Sequence, residues 1–169
     1  MSLLDVAKLV QICRKIESRK KLQKLVYILQ QMGNPFHQQF EYLHYGPYSS
    51  DLKREIDQLV EAGLIQEEST QAHIFSQYNY GPTANLSDLL RNFGGEEKPS
   101  WAELATDLNR ESPQTLEAIS TILFLRQKGF GEDRLRARFC ELKPALSADF
   151  EKAKHRADEL IPLVTSRTS

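Results

Sequence analysis

Residues 45–65 read YGPYSSDLKREIDQLVEAGLI, and the fold turns on how this stretch is parsed. Gly46-Pro47 forms a tight turn, and Ser49 or Ser50 can cap the helix that follows. Within that helix Leu52, Ile56, Leu59 and Val60 fall on one stripe, while Lys53, Arg54, Asp57, Gln58 and Glu61 face the other way. Gly63 ends the helix, and Leu64-Ile65 opens a strand. Residues Ile74 to Tyr80 supply its partner, which predicts a two-stranded hairpin with its tip around Ser69 to Ala72.

Working back from the turn, Phe40, Tyr42 and His44 alternate with Glu41, Leu43 and Tyr45 in a short aromatic strand closed by Gly46-Pro47. Before it, Leu22, Leu25, Val26, Leu29 and Met32 recur at helical spacing until Gly33, Asn34 and Pro35 stop the helix, and Ser18 is its candidate cap. Leu3, Val6, Val10 and Cys13 predict a first helix ending near Glu17. Helix, short strand, capped helix and hairpin follow one another as in a winged helix-turn-helix, with the hairpin as the wing. The expected fold is therefore mainly α, with a winged-helix-like first lobe over residues 1–93.

Working forward, the second half lacks strand signals and reads as four or five helices in a bundle lobe over residues 99–165, packed on the first lobe as one unit. Gly94-Gly95 to Pro99 marks the boundary. Ser100 to Glu103 has the capping-box form, and Ser112-Pro113 sets a cap residue before a proline at the first helical position. Leu116, Ile119, Ile122, Leu123 and Phe124 make a helix apolar nearly all round, which belongs at the centre of the bundle. Phe150, Ala153, Ala157, Leu160, Ile161 and Val164 give the last helix a narrow apolar stripe. A shared pattern, Phe40 to Pro47 and Phe75 to Pro82, is explained by two strands that each enter a helix through a turn.

In 169 residues, 22 bases and 23 acids nearly cancel, yet their distribution is uneven. Residues 1–24 hold seven Lys/Arg against two acids and residues 126–156 nine against five, whereas Glu41 to Glu117 holds fourteen acids and five bases. No apolar run approaches the length of a bilayer span, and Asp5 and Lys8 interrupt the apolar start, so a cytoplasmic protein is expected. Cys13 and Cys140 are far apart and in no CxxC pair, which points to reduced, buried thiols.

The block Arg14, Lys15, Arg19, Lys20, Lys21 and Lys24 is the sharpest chemical feature. Cations at a helix amino end oppose the macrodipole by about 0.3–1 kcal/mol each when exposed, and a bound anion or acidic partner surface would offset this. The bland alternative is a solvated hinge countered by Glu17 and the acidic middle of the chain. Tyr45 and Tyr48, with Phe40, Tyr42, Tyr78 and Tyr80, gather aromatic groups with polar tips in one part of the first lobe, as a recognition surface or as core. Arg19, Lys20, Lys21, Lys24, Tyr45 and Tyr48 are thus the candidate partner-binding residues.

In the helix after Ser49, Lys53 and Arg54 are the candidate DNA contacts, but Ser49 to Gly63 carries four acids against two bases, which weakens attraction to phosphates. His37, Glu41 and His44 would share a face only in a helix, and the strand expected there separates Glu41 from His44. His73 and His155 stand alone. No metal, cofactor or catalytic residue is expected, since nucleophile elbows, phosphate-binding loops and dinucleotide fingerprints are missing.

The string KLQKLVYIL at residues 21–29, Tyr45-Gly46-Pro47-Tyr48-Ser49 and the Gly63-Leu64-Ile65 ending resemble the YwgA-like family of uncharacterised bacterial proteins. They resemble more remotely the Panacea domain of SocA-like antitoxins. Leu142-Lys143-Pro144 and the Ala-rich last helix are similar to the carboxy-terminal part of these families. The first resemblance implies a helical protein of this size. The second implies a non-enzymatic module that neutralises toxins by binding them, sometimes as an adaptor for proteolysis. The expected function is regulatory protein binding of antitoxin or adaptor type, with DNA-binding transcriptional regulation as the runner-up.

Overall fold

The computed structural model describes residues 2–72, 75–93 and 97–168. His73, Ile74 and the Gly94-Gly95 boundary lie outside the described residues, as do the side chains of Ile161 and Val164. The chain is mainly helical with two small antiparallel sheets. Helices α1 (Ser2–Cys13) and α2 (Arg19–Gln31) flank a two-residue strand β1 (Ile16–Glu17). A short hairpin follows, β2 (Glu41–Leu43) and β3 (Gly46–Tyr48), and then α3 (Ser50–Glu61). Strands β4 (Ile65–Ala72) and β5 (Phe75–Pro82) form a longer hairpin that leads into α4 (Ala84–Asn92). The second half holds α5 (Ala102–Leu108), α6 (Pro113–Gln127), α7 (Glu132–Leu142), a 3-10 segment at Pro144–Asp149, and α8 (Phe150–Thr168).

The first helix stops at Cys13, four residues short of the sequence expectation. Arg14 turns into the left-handed region at φ 67°, and Ile16 and Glu17 pair with Tyr80 and Asn79 of β5. Strand β5 is therefore the middle of a β1-β5-β4 sheet. The second correction concerns Gly46-Pro47, expected to close the aromatic strand: both residues belong to β3, where Gly46 faces Leu43 and Pro47 faces Tyr42. Gly46 takes φ 94°, a conformation costly for any side chain.

Serine caps fix the helix starts as the sequence implies. The hydroxyls of Ser18, Ser49 and Ser112 accept from the amides of Lys21, Leu52 and Thr115, and Pro113 occupies the first turn of α6. Trp101, rather than Ser100, takes the cap position of the next helix. Helix α5 starts instead at Ala102 behind Trp101, whose buried ring meets Phe36 edge-on at 5.1 Å and sets the entry of the chain.

Helix α2 is the hinge of the packing. The amphipathic pattern predicts one buried face, but every residue from Lys21 to Leu29 is buried, polar ones included. The reason is α6, which packs along the side of α2 that the pattern leaves polar, with α5 reaching its first turn. Helix α6 is buried from Leu116 to Leu125 except where Glu117 and Phe124 reach outward. Phe150, Ala153, Ala157 and Leu160 of α8 close the far side of the core.

Candidate functional site

The first turn of α2, the β2–β3 turn, α3 and β5 surround a cleft of ≈ 300 Å³. Arg19, Lys20, Gln23 and Lys24 line one wall, and Lys53, Ile56 and Asp57 of α3 line the opposite one. Tyr45 and Tyr48 close one end and Tyr80 the other. Six of the eight candidate residues chosen from the sequence meet here: Arg19, Lys20, Lys24, Tyr45, Tyr48 and Lys53. The other two do not line it. Lys21 is buried on another side of α2, where its ammonium donates to the carbonyl of Asn109 at the end of α5. Arg54 is exposed on α3 and pairs with Asp51.

Gln23 holds the two walls together. Its side-chain amide donates to the carbonyl of Ser49 at 3.0 Å, and its side-chain oxygen accepts from the Ser49 amide at 2.8 Å. The capping residue of α3 is thereby tied to α2 by two buried bonds, and α3 sits at a fixed distance from the lysines opposite. No periodicity argument singles out Gln23; the only sequence signal is a polar pair, Gln23-Lys24, set between Leu22 and Leu25 of the apolar stripe.

The charged groups differ sharply in their partners. Arg19 donates to the Tyr80 hydroxyl at 3.0 Å, stacks on Tyr78 at 4.0 Å and pairs with Glu67 at 3.6 Å. Burial, with Glu67 beside it, pushes the Tyr80 phenol well above its usual range. Lys53 pairs with Asp57 at 2.8 Å one turn along α3. Lys20 has an aromatic partner instead, its ammonium 3.6 Å from the centre of the Tyr45 ring. Lys24 is only 2% exposed, and its ammonium donates to the carbonyl of Pro47 at 2.8 Å. Loss of hydration draws the Lys24 pKa down from 10.5 to about 8, against the opposing pull of Glu117 and with the help of Lys143 and Lys20.

Behind the cleft, Lys143 donates to Glu117 and to the carbonyl of His44, each at 2.6 Å. Two buried lysines from distant parts of the chain therefore grip the Tyr45-bearing turn at the carbonyls of His44 and Pro47. The turn lies directly against the lysine, since a Cβ on Gly46 would come into van der Waals contact with Lys24 Cε at 3.4 Å. Tyr42, on the inner side, lies 3.2 Å from the hydroxyl of Thr121 on α6. Glu117 and Lys143 were not singled out by sequence reasoning as site residues, although Lys143 lies in the Leu142-Lys143-Pro144 motif.

Among the described residues no group of three His, Cys, Asp or Glu side chains is placed to hold a metal ion. Both cysteines are free and half-buried, and desolvation pushes the Cys13 thiol up to about 12, which keeps it protonated and unreactive near neutrality. No helix among the described residues is long and apolar enough to cross a membrane. A larger basin of ≈ 730 Å³, bordered by Lys8, Arg14, Leu90, Arg91 and Lys98, is open and has no aromatic wall.

Fold and site together define a mainly helical protein with a cationic, tyrosine-lined cleft between α2, the β2–β3 turn and α3. No family model matches the chain. It is similar to the "Uncharacterized protein YwgA" of Bacillus subtilis (strain 168), with 34% identity over 109 residues, which is 64% of this chain and 65% of that relative. Over that stretch the chain resembles YwgA-like proteins. The match spans slightly less than two thirds of the relative's length.

Proposed function

We propose that this protein is a non-enzymatic, cytoplasmic macromolecule-binding module of winged-helix type, most specifically a protein-docking module of antitoxin or adaptor kind that engages its partner at the α2–α3 cleft. The observation that carries this reading is the convergence of Lys20, Lys24, Tyr45 and Tyr48 on one concave surface: cations with no paired carboxylate among the described residues, beside tyrosines with polar tips. The winged-helix assignment is supported by the order α1, β1, α2, α3, β4, β5 and by the pairing of β1 with β5, the far strand of the wing. The β2–β3 hairpin is an addition between the second and third helices, and it supplies Tyr45 and Tyr48.

DNA binding is the second reading, favoured by the same topology, which would offer α3 to the major groove. Charge speaks against it. Lys53 and Arg54, the bases α3 would present, are each paired with an acid of their own helix, and Glu67 and Glu68 stand on the wing.

A photo-crosslinking amino acid at Tyr48 tests both readings in living cells. The expected result is a discrete protein adduct that disappears when Lys20→Glu is added. The docking role fails if no protein adduct forms while purified protein binds duplex DNA with a steep salt dependence that Lys53→Ala/Arg54→Ala abolishes.

A further inference from the structure

The acids near the cleft are already claimed. Asp57 is held by Lys53 at 2.8 Å, Glu67 by Arg19 at 3.6 Å and Glu117 by Lys143 at 2.6 Å. Two ammonium groups are left without a carboxylate within 4.0 Å among the described residues. Lys20 rests on an aromatic face and Lys24 on a single carbonyl. Helix α2 deepens the positive potential, because no acid stands in its first turn and its amino end opens on the same cleft. A buried cation satisfied by one neutral acceptor is a poorly compensated charge, and an anion brought against it recovers much of the lost solvation.

Beside the paired Lys53 and Asp57 and the bonded Gln23, the lining offers apolar surface: Ile56 is buried, Tyr48 half-buried, and Tyr45 is an exposed ring that a ligand could cover. A space of ≈ 300 Å³ is at the lower end of ligand pockets and takes one or two side chains rather than a long chain. Arg19, the guanidinium whose planar fork suits phosphate, is already occupied by Tyr80, Tyr78 and Glu67. Asp57 and Glu67 beside the cleft would repel a polyanion that ran on past it.

We infer that the occupant is an acidic segment of a partner protein, with one carboxylate set between Lys20 and Lys24 and the neighbouring apolar side chain laid against Tyr45, Tyr48 and Ile56. This rests on the docking role proposed above and names the chemistry of the partner. The segment brings the counter-charge that the cleft lacks, and its apolar neighbour replaces water on the tyrosine faces.

The test is an amide chemical-shift titration of the full-length ¹⁵N-labelled chain with the peptide acetyl-Gly-Glu-Leu-Asp-Gly-amide and with its uncharged Gln/Asn counterpart. The acidic peptide should shift Lys20, Tyr45 and Tyr48, and the counterpart should bind roughly tenfold more weakly, a difference of about 1.4 kcal/mol. Lys20→Gln, an exposed and structurally mild change, should weaken the acidic peptide severalfold, and Lys24→Met should do so more strongly. Equal binding of both peptides, or no binding of either, overturns the inference. So does tighter binding at the same residues by sodium phosphate or a single-stranded oligonucleotide. If the Tyr48 adduct in cells persists in Lys20→Gln while the acidic peptide fails, the docking role stands and the acidic occupant falls.

Discussion

Two surfaces of this molecule carry lysines and face each other across a gap a few side chains wide, yet their charges are in opposite states. On α3, Lys53 and Arg54 each have an acid three or four residues away on the same helix, and these pairs are exposed. On α2, Lys20 and Lys24 have no such neighbour, because Gln23 and Lys24 stand one turn on from Lys20, and Tyr27 and Ile28 one turn on from Lys24. The lesson is that available charge depends on how close the opposite charges lie in space. Exposed i,i+4 pairs leave little field beyond the helix, whereas a half-compensated cation in a cleft projects its field into the only space where an anion can approach.

The contrast is broken most severely at Glu117. This carboxylate neutralises Lys143 directly and supports the charged form of Lys24, so Glu117→Gln leaves two buried lysines facing each other's field with no anion between them. Removing one partner of a buried pair typically costs about 3–5 kcal/mol, and the lower end is expected here because Glu117 is partly exposed. Urea denaturation measures it. A loss below roughly 1 kcal/mol would mean that the lysines shed their protons or reach water, and that the grip on the His44–Pro47 turn is weaker than its geometry implies.

Alkaline pH sharpens the same comparison with a smaller effect. Lys24 keeps its proton up to about pH 8 when folded and up to about 10.5 when unfolded, so between those values the unfolded chain binds more protons. Stability contributed by this group must rise with pH through that window, at no more than about 1.4 kcal/mol per pH unit. The groups around it that set the value are Glu117 of α6, Lys143, Lys20 of its own helix, and the Tyr45–Tyr48 turn. Urea unfolding at pH 8 and pH 9.5 should show the native chain gaining roughly 1–2 kcal/mol relative to Lys24→Met. Identical pH profiles for the two proteins would place the ammonium in a wetter site. The acidic peptide should also bind less well at the higher pH, since a neutral Lys24 offers it no charge.

The parts of this site that could be read from the chain are those set by near neighbours. Ser18, Ser49 and Ser112 act within three residues, and each caps its helix. The apolar recurrence from Leu22 to Met32 marks α2, and the cationic run at its start marks the site. The illegible parts depend on partners far along the chain. Nothing near Lys21 says that it turns to Asn109, 88 residues away, while Lys20 and Lys24 on the same helix turn to the cleft. Strand β1 is two residues long and exists because Tyr80 and Asn79 offer it a sheet edge. Ser100 has the letters of a capping box, but the cap position of α5 falls on Trp101, whose ring is buried against Phe36, a partner 65 residues back that no local pattern names.

The finest test sets the two lysine surfaces side by side by double-mutant cycles. For Lys53 and Asp57 the coupling of an exposed i,i+4 pair should be the smaller of the two and should fade in high salt. For Lys20 and Tyr45 a cation held over a ring at an exposed site should give about 0.5–1 kcal/mol, with weaker salt dependence because the ring carries no net charge to screen. Their response to the acidic peptide separates them further. A carboxylate competing for Lys20 should lower the Lys20–Tyr45 coupling when the peptide is bound, while the Lys53–Asp57 value stays where it was. If instead both couplings fell together, the peptide would be drawing on the whole face of α3, and the division between a compensated helix and an uncompensated cleft would be wrong.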